Sequence, residues 1–243
     1  YECTSLNSHE AQFQDTDTPP REERRILGRN IRGRNAKLHV GQLDEILCLE
    51  RGPVFTVLKL CFTLPGTIEC AVTLKFYEEI PQRDIRLSLG KTLSKDIESI
   101  YLPMTLQKNA DSSLYLRKGD REAFRPGMDQ IPGTCMEYYA SDNGIAFLSE
   151  TGSILLEAKY TPLWYMGEMR HHSIKLCDGD RENNRRPIYS WVMNNTWETN
   201  FRMDLSGFCE FDYSLILTDE KSPEAAMDEL RERSFSPYVF ILD

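Results

Sequence analysis

Tyr189-Ser190-Trp191-Val192-Met193-Asn194-Asn195-Thr196-Trp197-Glu198-Thr199-Asn200-Phe201 is the run whose reading decides the fold. It opens as a strand: Tyr189, Trp191 and Met193 alternate with smaller residues, the period-two pattern of a half-buried sheet. It then breaks into a polar cluster of three Asn and two Thr with Trp197 set inside. Asn is depleted in strand interiors and common in turns, because its amide bonds nearby backbone and tolerates left-handed geometry. Two readings follow. Aromatic faces beside fixed amides suit a sugar-binding surface, with Asn194, Asn195, Trp197 and Asn200 as the contacts; the same residues could equally staple a buried strand end.

Working outward, the β pattern continues in both directions. Upstream, Ala36 to Val40, Glu45 to Leu49, Val54 to Thr63 and Ile68 to Tyr77 are rich in β-branched and aromatic residues. Gly41, Arg51-Gly52-Pro53 and Pro65-Gly66 punctuate them as turns. Arg83 to Leu89 alternates strictly, with Ile85, Leu87 and Leu89 on one face and Arg86 and Ser88 on the other. Ile97 to Leu106, Ser113 to Leu116 and Cys135 to Tyr139 follow. Asn143-Gly144 lies between apolar runs and predicts a hairpin, and Thr151-Gly152 predicts the next one. Downstream of the Asn/Trp cluster, Phe208 to Leu217 alternates Glu210, Asp212 and Ser214 with Cys209, Phe211, Tyr213 and Leu215.

Only one helix is predicted. Ser222 is a good N-cap, Pro223 suits the first helical position, and Glu224 places a favourable charge near the N-terminus. Ala226, Leu230 and Arg233 then share a face, and Tyr238 to Leu242 reads as a final strand. So many strands with so little helix predict an all-β sandwich of large sheets. Residues 1–35 are polar and weakly patterned, the expectation for a tail or linker; residues 36–243 form the β-sandwich domain.

At 243 residues the chain can bury one large core. A net charge of -9 argues against nucleic-acid binding, and Glu22 and Glu23 dilute the nearest basic run, Arg21 to Arg34. No apolar run approaches the roughly 20 residues of a membrane helix. The seven Cys are scattered and never spaced as CxxC, and Cys48, Cys61, Cys70 and Cys209 fall on apolar strands, where a thiol acts as a small buried hydrophobe. A reduced, cytoplasmic protein is expected, in which the sequon Asn194-Asn195-Thr196 carries no glycan. A first residue other than Met suggests a piece of a longer protein.

Motifs for self-sufficient chemistry are sparse. His171 and His172 are adjacent, so on a strand they point to opposite faces and cannot share one metal ion. Asp178-Gly179-Asp180 lacks the further ligands and closing Glu of a calcium loop. No phosphate loop, nucleophile elbow or zinc-protease motif occurs. Between Arg125 and Cys135, Pro-Gly punctuation brackets Asp129 and Gln130, which marks either a rigid loop offering two polar side chains or an ordinary connection. Trp164 and Tyr165, after Pro162, read as ligand-stacking rings or as core anchors. No carboxylate spacing singles out a catalytic pair.

Several blocks, in order, resemble the C-terminal β region of family 38 glycoside hydrolases, the retaining α-mannosidases, and among them the bacterial-type members. They are Leu49-Glu50-Arg51-Gly52-Pro53; Ile80-Pro81-Gln82-Arg83-Asp84-Ile85 with Gly90-Lys91-Thr92; Glu98-Ser99-Ile100-Tyr101-Leu102-Pro103-Met104; Asp129-Gln130-Ile131-Pro132-Gly133-Thr134-Cys135; and Met193 to Phe201. The resemblance implies a large galactose-mutarotase-like β-supersandwich with one short C-terminal helix, packed on its own N-terminal catalytic domain. In that family zinc and an aspartate nucleophile belong to the preceding α/β domain, whose His-x-Asp ligand motif is absent here. The chain is thus expected to need no cofactor and to be inactive alone. It would complete the cleft for a mannose-containing glycan, with Asp129, Gln130 and the Asn/Trp cluster facing the catalytic domain. The alternatives are a stand-alone carbohydrate-binding module and an aldose-epimerase-like protein, which would want spatially paired His and Glu.

Overall fold

A strand that is apolar on one face can bury that face only against a second layer, so a chain of such strands closes into facing sheets. The computed structural model describes residues 4–7, 37–94, 98–106, 111–119, 121–167, 177, 187–194 and 205–235. In chain order the elements are β1 (Thr4–Asn7), β2 (Lys37–Val40), β3 (Gln42–Arg51), β4 (Phe55–Thr63), β5 (Thr67–Tyr77), β6 (Gln82–Lys91), β7 (Glu98–Pro103) and β8 (Ser113–Lys118). They continue with β9 (Arg121–Phe124), β10 (Tyr138–Ala140), β11 (Gly144–Leu148), β12 (Ser153–Ala158), β13 (Leu163–Met166), β14 (Ile188–Asn194), β15 (Gly207–Thr218) and helix α1 (Pro223–Ser234). Nine strands form one sheet in the order β3-β4-β5-β6-β15-β12-β11-β8-β9, and six form the other, β10-β13-β14-β7-β1-β2. Among the described residues the fold is the anticipated all-β supersandwich with one short helix, α1.

Register explains the core. Across β5, β6 and β15 the partners Val72, Leu87 and Phe211 lie side by side, as do Leu74, Ile85 and Tyr213. These face Ile100, Leu102, Trp164, Met166 and Ile188 of the six-stranded sheet in one apolar cluster. Leu87, Leu102 and Trp164 are fully buried, and complete burial of such a side chain stabilises by roughly 1.5–3 kcal/mol. Two polar contacts also cross the sandwich. Ser190 on β14 and Tyr213 on β15 share a hydrogen bond of 2.8 Å. Lys91 on β6 and Glu98 on β7 form an ion pair of 2.6 Å, with side chains 5% and 14% exposed.

The helix starts as predicted: Ser222 Oγ accepts the Ala225 N–H at 3.3 Å and Pro223 opens the first turn. Ala226, Met227 and Leu230 pack on Ala146, Leu148, Leu155 and Ile216, a second small core on the outer face of the nine-stranded sheet. The buried stripe therefore includes Met227, while Arg233 turns outward to Glu229 at 2.8 Å. α1 covers only the β8, β9, β11 and β12 side of that face.

Four local expectations are corrected. Asn143-Gly144 does not close a hairpin, because β10 and β11 lie in different sheets. It is a corner between layers, where a Cβ on Gly144 would sit 2.1 Å from the Leu156 carbonyl oxygen. Thr151-Gly152 does join an antiparallel pair, β11 with β12. In β14 the register shifts between Trp191 and Met193. That bulge turns Met193 into the core beside Val192 instead of leaving it on the face of Tyr189 and Trp191. Cys48 is exposed on the edge strand β3, whereas Cys70 is buried as expected, and the six described cysteines are all free. Finally, Thr4–Asn7, in the stretch expected to be a tail, pairs with both β2 and β7. The strand predicted at Tyr238 to Leu242 lies outside the described residues. Among the described residues no helix is long and apolar enough to cross a membrane.

Candidate functional site

The strand β14 places Tyr189 and Trp191 on the outer face of the six-stranded sheet. Register sets Tyr138, Tyr165 and Tyr189 in a row across β10, β13 and β14, and Trp191 opposite Tyr101 of β7. The rings interlock. Trp191 stacks on Tyr101 at 5.8 Å and 9°, and Tyr138 meets Tyr165 edge-on at 4.9 Å. Tyr101 and Tyr165 are each only 2% exposed, so most of this aromatic surface is spent on packing. Burial pushes the Tyr101 and Tyr138 phenols far above the usual tyrosine value, most strongly through lost hydration. Among the described residues the buried Trp191 indole N–H has no hydrogen-bond partner.

Asn194 is the last residue of β14, half-buried and opposite Ser99 of β7. Asn195, Trp197 and Asn200, the rest of the expected sugar-contacting cluster, lie outside the described residues, as do His171, His172 and Asp178-Gly179-Asp180. Trp164, offered as a stacking ring or a core anchor, is fully buried in the core.

Asp129 and Gln130 hold their own loop together. Asp129 accepts the Arg125 N–H at 2.9 Å and sits 3.7 Å from the Arg125 guanidinium. The Gln130 side-chain oxygen accepts the Gly127 N–H at 3.2 Å and the Tyr139 hydroxyl at 3.0 Å. Its amide nitrogen donates to Thr134 Oγ1 at 2.8 Å and to the Cys135 carbonyl. Through Tyr139 the loop is tied to β10, two strands from Asn194 in the same sheet.

A further place emerges on the outer face of the nine-stranded sheet, on the side away from α1. A pocket of about 350 Å³ there is lined by Thr73, Lys75, Asp84, Arg86, Asp212 and Ser214 among others. Register builds it: Val57, Lys75, Asp84 and Ser214 form one row across β4, β5, β6 and β15, and Thr73, Arg86 and Asp212 form the next. Arg86 grips Asp212 with two hydrogen bonds, 2.7 and 3.2 Å, and Glu210 lies 4.0 Å away. Hydrogen bonding to Asp212 raises the Arg86 guanidinium above its ordinary value. Asp84 accepts from the Tyr77 hydroxyl at 2.7 Å, Gln82 at 2.7 Å and Ser214 at 2.8 Å. The bond to Asp84 is the largest cause of a raised Tyr77 pKa. Lys75 stands over the rings of Phe55 and Tyr77, 4.0 and 4.8 Å from their centres. Alternation marks Arg86, Asp212 and Ser214 as outward-facing in the sequence, but a gap of 126 residues separates Arg86 from Asp212.

A larger cleft, about 430 Å³, lies beside Pro81, Ser112, Gly152, Ser153, Thr218 and Asp219, with no cation among the described residues of its wall. Among the described residues no three His, Cys, Asp or Glu side chains are grouped to hold a metal ion.

Neither a protein-family model nor a curated protein sequence matches the chain. Solved structures do. A heparan sulfate lyase, HepC, from Pedobacter heparinus aligns at 6% identity and a TM-score of 0.41, over 75% of this chain and 22% of that one. A candidate aldose 1-epimerase from Escherichia coli K12 aligns at 10% identity and a TM-score of 0.38, over 72% of this chain and 69% of that one. An α-mannosidase from Enterococcus faecalis V583 aligns at 10% identity and a TM-score of 0.52, over 96% of this chain but 27% of that one. At that identity the likeness to the α-mannosidase shows a shared fold, across nearly the whole of this chain and a minor part of a longer protein.

Proposed function

We propose that the chain is a non-catalytic β-sandwich domain of an α-mannosidase-like glycoside hydrolase, completing the carbohydrate-binding cleft of a catalytic domain elsewhere in the polypeptide. The observation that carries this reading is the extent of the fold likeness, 96% of this chain against 27% of an α-mannosidase. The ordered sequence blocks from Leu49 to Phe201 point the same way. In this reading zinc belongs to the catalytic domain, this chain holds no cofactor, and the protein is cytoplasmic, without nucleic-acid or membrane partners. Asn194, Asn195, Trp197 and Asn200 would contact a mannose-containing glycan. The loop of Asp129 and Gln130 would stand beside the catalytic domain on which this one packs.

The test is the natural gene and its product. An upstream segment of several hundred residues with a His-x-Asp motif, giving a zinc-dependent α-mannosidase whose residues 1–243 alone hydrolyse nothing, supports the proposal. A reading frame that starts near Tyr1, or α-mannosidase activity from this chain by itself, overturns it. Within the longer enzyme, Trp197→Ala or Asn195→Ala should lower turnover with little change in melting temperature; a collapse of stability with normal activity in the folded fraction assigns these residues a structural role. A stand-alone carbohydrate-binding module is the second reading. It is favoured by one observation, the polar pocket around Arg86 and Asp212, which is complete within this chain.

A further inference from the structure

The pocket on the outer face of the nine-stranded sheet takes no part in the α-mannosidase reading, and its construction is specific. We propose that it is a saccharide-binding site taking one neutral pyranose unit, distinct from the Asn/Trp cluster. Its charged lining is balanced: Lys75 and Arg86 against Asp84 and Asp212. With Glu210 also near Arg86, a sulfated or carboxylated sugar would meet as much repulsion as attraction, whereas a neutral polyol meets donors and acceptors of both kinds.

Those groups are held by one another before any ligand arrives. Asp84 is positioned by three donors that are all neutral: Tyr77, Gln82 and Ser214. Lys75 on β5 is its register neighbour across the strands and supplies the positive charge beside it. An ionised carboxylate offers about four acceptor positions, so Asp84 keeps one and Asp212, gripped twice by Arg86, keeps two. The Ser214 hydroxyl, donating to Asp84, still has lone pairs for a sugar hydroxyl. The Lys75 ammonium on the pocket wall is held in place over the rings of Phe55 and Tyr77. Ordering of these side chains is thereby met on folding, which leaves less entropy to lose on binding. The volume, about 350 Å³, falls in the ordinary range for small-ligand pockets, and strand register fixes every lining position.

That the unit is a mannose rests on the function proposed above; the site itself rests on this geometry. The experiment is hydroxyl-radical footprinting of the full-length protein, with and without α-linked mannobiose. The expected result is at least twofold slower oxidation of Lys75 and Arg86, which line the pocket, in the presence of mannobiose, unaltered by Trp197→Ala. Asp212→Asn and Ser214→Ala should each raise the concentration for half-protection, Asp212→Asn by at least tenfold, with the near-ultraviolet circular dichroism of the folded protein retained. Ser214→Ala, the milder change, serves if Asp212→Asn fails to fold. Absence of protection at Lys75 and Arg86 up to the solubility limit of the sugar overturns the site, as does protection unaffected by both variants or abolished by Trp197→Ala. Protection in a full-length protein that hydrolyses no α-mannoside would leave the site standing and sink the enzyme reading. Hydrolysis without protection would do the reverse.

Discussion

Lys91→Met should destabilise the fold by roughly 3–5 kcal/mol, the cost of stranding one member of a buried ion pair. The pair ties the two sheets together, since Lys91 ends β6 of the nine-stranded sheet and Glu98 begins β7 of the six-stranded one. At 2.6 Å the attraction is on the order of 6 kcal/mol for an effective dielectric near 20. Desolvating each charge costs several kcal/mol, so the intact pair is close to neutral against an apolar pair of like volume. Removing one partner takes away the main compensation for the desolvation of the other. The 14% exposure of Glu98 admits some water and favours the lower end of the range. Lys91 Nζ also donates to the Thr92 carbonyl at 3.0 Å, a contact that methionine cannot replace. The assay is urea unfolding followed by tryptophan fluorescence, for Lys91→Met, Glu98→Leu and the double variant. Each single variant should lose about 3 kcal/mol or more, and the double variant should recover at least about 2 kcal/mol of the summed loss. Single losses below about 1 kcal/mol, the scale of a surface pair, or strictly additive losses would refute the reasoning.

Three further outcomes can be measured. Gly144→Ala should be far more damaging than Gly152→Ala in thermal melts: both have φ near 140°, but the new Cβ meets the Leu156 carbonyl oxygen at 2.1 Å in the first case and nothing within 4 Å in the second. The open position should cost about 1–3 kcal/mol from backbone strain alone. Burial raises the Glu157 carboxyl, outweighing its contact with Ser234, so ionisation opposes folding. That penalty is absent below the unfolded carboxylate value of about 4.3 and sets in as pH rises through the folded value. Glu157→Gln should therefore be the more stable protein at neutral pH, with the gain vanishing on acidification; a gain that grows in acid would contradict this. In an alkaline absorbance titration Tyr101, raised by burial, should ionise only as the sheet opens, so Tyr101→Phe should remove one late-titrating phenol.

The sequence by itself determined what period and local chemistry can carry. Ile85, Leu87 and Leu89 are buried because a strand alternates faces, and Ser222 caps α1 because its hydroxyl reaches an N–H of the first turn. Arg86, Asp212 and Ser214 could likewise be read as outward-facing, yet not as one site, since their meeting depends on which strands become neighbours. Only the tertiary structure decided that β6 and β15 pair, and so built the polar pocket from residues 126 apart. It also decided that the Val192 bulge sends Met193 inward and that Asn143-Gly144 turns a corner between sheets, both consequences of layers meeting. The punctuation around Asp129 and Gln130 announced a rigid loop. That their side chains close the loop on itself was settled by hydrogen-bond partners as distant in the chain as Tyr139, which local pattern does not encode.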